Sequence, residues 1–362
     1  MHQSPVARRL TPAVVALLTA FALSAALASG PELSRRDFFV AGSSGARLFV
    51  REVAVQPLKV ARPLLLIHGA RVPGLASFDL GVPGGSLAAD FALRGFDVYV
   101  MDVRGYGNST RPPEMDQPPD SHAPLVLSDQ AARDIGAVVD SIRKERHVAG
   151  VALFGWATGG QWAGYFASMF PEKVSALIML NSLYSADAPH PMLGHGTDME
   201  DPARPGRFNP AACGAYRFNT AASLLAGWDR SIPAEDKSTW RDPAVAKAYV
   251  DAALTSDPTS STRTPPSFRS PCGALEDSFY LAIGRRLWDA SLVTSPVLIL
   301  ASERDFWSRP EDRKLLKEEL THAGVVKVVV IPGATHFVHL DRPDRGRNQL
   351  LDALTTFLSS VP

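Results

Sequence analysis

The sequence has little that would push it toward a specialised class. Of its 362 residues only two are cysteine, Cys213 and Cys272. That is too few for a disulfide scaffold or a zinc site built from four thiolates. Net charge is also lacking, because 37 basic side chains balance 37 acidic ones. A neutral chain has no electrostatic footprint for gripping nucleic acid along its phosphates, and it is unlike an acidic, disordered chain. No internal repeat is visible, which excludes a solenoid. What is present is 46% apolar and 20% charged residues, enough for one large core or two moderate ones. Composition leaves an enzyme or a binding protein.

One long apolar run stands apart, from Leu10 to Ala28, after Arg8 and Arg9 and ending in Ala26-Leu27-Ala28. A basic start, an apolar stretch and a small-x-small end predict a signal peptide over 1–28 and export to the periplasm or beyond. The other reading is an uncleaved anchor, since about 19 apolar residues just span a bilayer. No cysteine follows the run to carry a lipid. Export makes Cys213 and Cys272 a candidate disulfide, with two buried thiols as the alternative.

Beyond the leader, apolar runs of strand length alternate with helical patterns. Phe38–Val40 and Leu48–Val50 with Val53 read as a strand pair joined at Gly42-Ser43-Ser44-Gly45. Strands are predicted at Pro63–Ile67, Asp97–Met101, Val151–Phe154, Ala176–Leu180, Pro296–Leu300 and Val326–Ile331. Helices are predicted near Ser86–Leu93 and over Ser128–Arg146 with Ser128 as N-cap, then at Gln161–Met169, Arg309–Ala323 and Asn348–Leu358. Regularity lapses between about Tyr184 and Leu292, a proline-rich stretch with short helical pieces. The expected architecture is α/β, a doubly wound, mostly parallel sheet flanked by helices with an inserted helical cap. Its parts are a first core segment (29–184), the cap (185–292) and a second core segment (293–362).

In such a sheet, reactive groups sit on loops beyond the carboxyl ends of the strands. Those loops carry His68-Gly69-Ala70, Asp102-Val103-Arg104-Gly105-Tyr106-Gly107, Gly155-Trp156-Ala157-Thr158-Gly159-Gly160, Asp305 and His336. In order and spacing these motifs resemble the α/β-hydrolase family, over essentially everything from Phe38 onward except the cap. The Gly155–Gly159 segment resembles the nucleophile elbow, in which a sharp strand-to-helix turn presents the attacking residue. Family members carry Ser, Asp or Cys there, and this chain carries Ala157. It has no nucleophilic atom, so the usual acyl-enzyme cannot form.

The resemblance implies that Asp305 is the triad acid and His336 the base. It implies an oxyanion hole from the backbone N–H groups of Ala70 and Thr158. His68 reads as support for the oxyanion loop, and Arg104–Gly107 as a turn shaping the mouth. Trp156 and Trp307 are expected to line the pocket or pack in the core. His339 with Asp341 is too sparse for a metal site, and neither metal nor cofactor is implied. The implied partner is a small-molecule substrate, with no nucleic acid and no stable membrane partner if the leader is removed. The implied chemistry is ester or amide hydrolysis of a small to medium organic molecule. A lyase or cofactor-free oxygenase using the His336–Asp305 dyad, and a non-catalytic binding protein, remain open alternatives.

Overall fold

A computed structural model describes residues 1–2, 32–57 and 61–361. The predicted leader, past its first two residues, lies outside the described residues. No described helix is long and apolar enough to cross a membrane.

Two ten-residue strands, β1 (Glu32–Ala41) and β2 (Arg47–Gln56), form an antiparallel hairpin with Phe38 opposite Val50. The chain continues through β3 (Pro63–Ile67), α1 (Gly74–Phe78), α2 (Leu87–Leu93) and β4 (Asp97–Met101). Next come α3 (Ser128–Arg146), β5 (Val151–Trp156), α4 (Thr158–Met169) and β6 (Val174–Leu180). An excursion follows, with β7 (Tyr216–Thr220), α5 (Ala221–Ser231), α6 (Pro243–Thr255), β8 (Ser267–Pro271) and α7 (Gly273–Ala282). The chain returns as β9 (Val297–Arg304), α8 (Pro310–Glu319), β10 (Val326–Thr335) and α9 (Arg347–Ser360).

Eight strands make one sheet in the order β1-β2-β4-β3-β5-β6-β9-β10. It is parallel from β4 through β10 and antiparallel only at β1 and β2. The central strands are continuous apolar runs because both faces are covered. Successive residues of a strand point to opposite faces, so Leu64 and Leu66 of β3 enter one core while Leu65 and Ile67 enter the other. The first core holds Leu87 and Phe91 of α2 and Leu350 and Leu354 of α9. The second holds Ile135 and Val139 of α3, Trp162 and Phe166 of α4 and Leu316 of α8. Crossover connections return the chain to the same end of the sheet before each parallel strand, so the carboxyl-end loops of these strands meet along one edge.

Two details differ from the sequence reading. Ser128 does not cap α3; the N-cap is Leu127, and the Ser128 N–H donates to Asp277 Oδ2 at 2.6 Å. A carboxylate delivered from α7 replaces the local hydroxyl, which instead accepts from Gln161 Nε2 at 2.9 Å. The excursion is also more than helical pieces, because β7 and β8 form an antiparallel ribbon. Cys213 and Cys272 are disulfide-bonded, with Cα atoms 6.0 Å apart. They clip the ribbon end where Tyr216 faces Pro271.

Candidate active site

The turn between β5 and α4 is built by steric necessity. Ala157 sits at φ 53°, ψ −119°, a conformation that a non-glycine residue adopts only when its surroundings force it. A Cβ on Gly155 would lie 2.3 Å from Gly159 backbone atoms. One on Gly159 would lie 2.2 Å from the carbonyl oxygen of Ile67, and one on Gly160 2.0 Å from Ser182 Oγ. Backbone therefore touches backbone at Gly155 and Gly159, and the Ser182 side chain closes on Gly160, a crowding that only glycine permits. The Ala157 N–H donates to Leu180 O at 2.8 Å, tying the turn to the end of β6. A methyl group thus occupies a position that is held rigidly and presented to a cavity.

His336 follows β10, and its Nδ1 lies 2.6 Å from Asp305 Oδ1. Both side chains are almost wholly buried. The Asp305 carboxylate also accepts the N–H groups of Trp307 at 3.0 Å and Ser308 at 2.8 Å, and the Ser308 hydroxyl at 2.5 Å. With its oxygens committed to donors, Asp305 fixes a His336 tautomer with the proton on Nδ1, leaving Nε2 as an acceptor. The ring is packed by Phe306 at 4.7 Å and Trp156 at 5.1 Å between centroids. The His336 carbonyl accepts from Trp156 Nε1 at 3.0 Å and from Asn181 Nδ2 at 3.2 Å.

Ala70 and Thr158 line the same cavity as Ala157 and His336. Among the described residues, neither backbone N–H is engaged by a protein acceptor. Thr158 opens α4, so its N–H also carries the positive end of the helix dipole. The Thr158 hydroxyl is buried without a partner and makes no hydrogen bond to His336. The Ala70 loop is braced from behind. His68 Nδ1 meets Gly69 O at 2.7 Å, and its Nε2 accepts the Val103 N–H at 3.1 Å. Burial pushes His68 down to about 4, so it is neutral at pH 7. Tyr106, from the Arg104–Gly107 turn, donates its hydroxyl to Ala70 O at 3.0 Å.

The cavity measures about 240 Å³. Trp156 and Trp307 both line it, and both also hold the dyad, Trp156 through the His336 carbonyl and Trp307 through Asp305. The rest of the lining is largely apolar, with Leu193, Leu224 and Tyr249 among it, together with Arg71, Arg217 and Arg230.

Other residues lie elsewhere. His339 is buried against Trp156 at 4.2 Å between centroids, and burial holds it well below the ordinary histidine range. Asp341 accepts from Thr335 Oγ1 at 2.5 Å and Trp228 Nε1 at 2.8 Å. These two side chains serve different contacts, and among the described residues no cluster of three or more His, Cys, Asp or Glu could hold a metal ion. The disulfide is not part of the cavity wall. Three residues escaped the sequence reading. Asn181, just past β6, bonds Ser302 through both its amide ends at 2.7 and 3.0 Å as well as the His336 carbonyl. His190 donates from Nε2 to the Trp307 carbonyl at 2.9 Å, while its Nδ1 accepts the Met192 N–H at 3.1 Å. Arg71 follows the His68-Gly69-Ala70 motif directly. Position at a strand's carboxyl end was the available signal for Asn181, and adjacency for Arg71; His190 had none.

Residues 62–343 match the family model described as alpha/beta hydrolase fold. No curated protein sequence matches the chain. Solved structures similar to it include a laboratory-evolved variant of potato epoxide hydrolase, 16% identical with TM-score 0.58, over 91% of this chain and 100% of that one. Another is a thermophilic esterase from Thermogutta terrifontis, 16% identical with TM-score 0.55, over 90% and 98%. A third is the thioesterase domain of the curacin biosynthetic pathway, 16% identical with TM-score 0.56, over 90% and 99%. At such identities the likeness concerns the fold. Strand order, elbow, dyad loops and the length of the family match agree, and the chain belongs to the alpha/beta hydrolase fold family.

Proposed function

We propose that the chain is a hydrolase of an ester or amide bond in a small organic substrate, acting through His336 and Asp305 without a covalent intermediate. The observation that carries this reading is the His336–Asp305 hydrogen bond beside two free N–H donors and the methyl of Ala157, all facing one cavity. His336 Nε2 takes a proton from water, and the resulting oxygen nucleophile attacks the carbonyl carbon. The Ala70 and Thr158 N–H groups hold the oxyanion of the tetrahedral adduct. As the adduct collapses, the imidazolium returns the proton to the departing alkoxide or amine. Ala157 leaves the space of a hydroxyl for the water.

Export to an oxidising compartment belongs to the same proposal, supported by the leader pattern and by the Cys213–Cys272 disulfide. The test of function is Ala157→Ser assayed on a panel of short-chain activated esters, lactones and amides. Serine at that position restores the missing nucleophile and raises ester turnover on the order of 10³-fold or more. A folded variant that turns over none of the panel contradicts the hydrolase reading. A second reading, proton abstraction from a substrate by the same dyad, is favoured by the absence of any nucleophilic atom at Ala157. Substrate-dependent proton release or oxygen uptake by the unmodified chain would establish it instead.

A further inference from the structure

The cavity next to the dyad has three cationic side chains and no carboxylate in its wall. Arg71, Arg217 and Arg230 line it, and Asp and Glu are absent from the described lining. Several enclosed arginines elsewhere in this protein pair with acids: Arg104 with Asp134, Arg269 with Asp257, Arg309 with Asp312 and Arg347 with Asp90. None of the three cavity arginines makes a salt bridge among the described residues, a state that Arg111 shares outside the cavity.

Arg71 is held in place by neutral acceptors only. Its Nε donates to Asn219 Oδ1 at 3.1 Å, and its Nη atoms reach Ser223 O at 3.4 Å and Ser223 Oγ at 2.9 Å. These fix the fork without neutralising it. Arg217 is more exposed to strain, because its Nε is sealed from water and has no partner. Burial and the neighbouring Arg71 cation push it down to about 9, so it remains charged at neutral pH. Arg230 stands at the rim, its guanidinium 5.5 Å from the Phe306 ring centroid. Enclosed, unpaired cations are costly unless something anionic completes them.

Resting on the hydrolase reading for the position of the reacting bond, we infer that the substrate carries a carboxylate that Arg71 and Arg217 bind, with Arg230 closing over it from the rim. A planar carboxylate matches the bidentate fork of a guanidinium. The volume is below the ~300 Å³ at which drug-sized sites begin, which favours a small acid. Its apolar walls suit a short hydrocarbon spacer between the carboxylate and the scissile carbonyl. The substrate class is a half-ester or half-amide of a short dicarboxylic acid, or a lactone bearing a free carboxylate.

The test is binding, which needs no turnover and therefore stands or falls separately from catalysis. Calorimetric titration of the unmodified chain compares monomethyl glutarate, dimethyl glutarate and inorganic phosphate at one ionic strength. The inference requires the monoester to bind at least tenfold more tightly than the neutral diester, with phosphate weaker than the monoester. Arg217→Gln should abolish that preference while keeping or raising the melting temperature of the unliganded protein, since it removes an unpaired buried cation. A merely structural arginine would lower the melting temperature and leave the preference intact. Equal affinity for monoester and diester overturns the inference, as does tighter binding of phosphate.

Discussion

At the scale of single residues, the site is a set of side chains that each have one task and one restraint. Asp305 is saturated with donors, so it can orient His336 but has no further oxygen to offer. Asn181, at a left-handed φ of 51°, ties the β9 end to the His336 loop. His68 contributes through its neutrality. Its pKa falls from the ordinary 6.5 to about 4 because the ring is buried. A base whose folded pKa is depressed stabilises the fold fully above its unfolded pKa, and loses that contribution as pH falls through the folded one. From pH 6.5 to 4 the parent should therefore lose up to about 3 kcal/mol relative to His68→Gln, which has no such titration. Urea midpoints of both proteins across that range measure it, and parallel curves would refute it. Asp341, pushed up to about 7 by burial, acts in the opposite sense, its contribution fading as pH rises through 7. It is common to both proteins and cancels in the comparison.

At the scale of elements, what the sequence made legible follows from burial. Val151–Phe154 and Pro63–Ile67 are unbroken apolar runs because helices cover both faces of the sheet, and such runs announce themselves. The hairpin at Gly42–Gly45 and the elbow glycines were legible for a similar reason, since turns that exclude side chains leave glycine in the sequence. The β7–β8 ribbon was not. Tyr-Arg-Phe-Asn-Thr and Ser-Phe-Arg-Ser-Pro mix charge, polar groups and proline, and their pairing partners are distant in sequence. The N-cap of α3 was misplaced because its acceptor, Asp277, comes from another helix. The elbow supplies an element-scale prediction. Gly159→Ala drives a methyl against the Ile67 carbonyl and should cost about 2–4 kcal/mol. Gly81→Ala meets nothing within 4 Å and should stay within about 0.5 kcal/mol. Thermal unfolding of the two variants, side by side, separates them; similar melting temperatures would show that the elbow is not close-packed.

At the scale of the molecule, a two-faced sheet gathers residues from five separated stretches of chain at one edge. The excursion between β6 and β9 lays Arg217, Leu224, Arg230 and Tyr249 over that edge. No local pattern in the sequence announces this, because the cavity exists only once the excursion has folded back. The Cys213–Cys272 bond closes a loop of 59 positions, and chain entropy gives it up to about 4 kcal/mol. Reducing it should lower the melting temperature by several degrees, with the change read in matched samples with and without reductant. An unchanged melting temperature, with free thiols detected, would remove the bond from the account of stability.

The central claim is that a complete base, acid and oxyanion hole surround a position that lacks only its nucleophile. The most direct measurement is covalent labelling of Ala157→Ser by a serine-directed phosphonate, read by intact mass and peptide mapping, with His336→Ala added as a second variant. The account predicts one adduct, on residue 157, whose formation collapses when His336 is removed. A folded Ala157→Ser protein that takes up no label, or labels equally fast without His336, would contradict it.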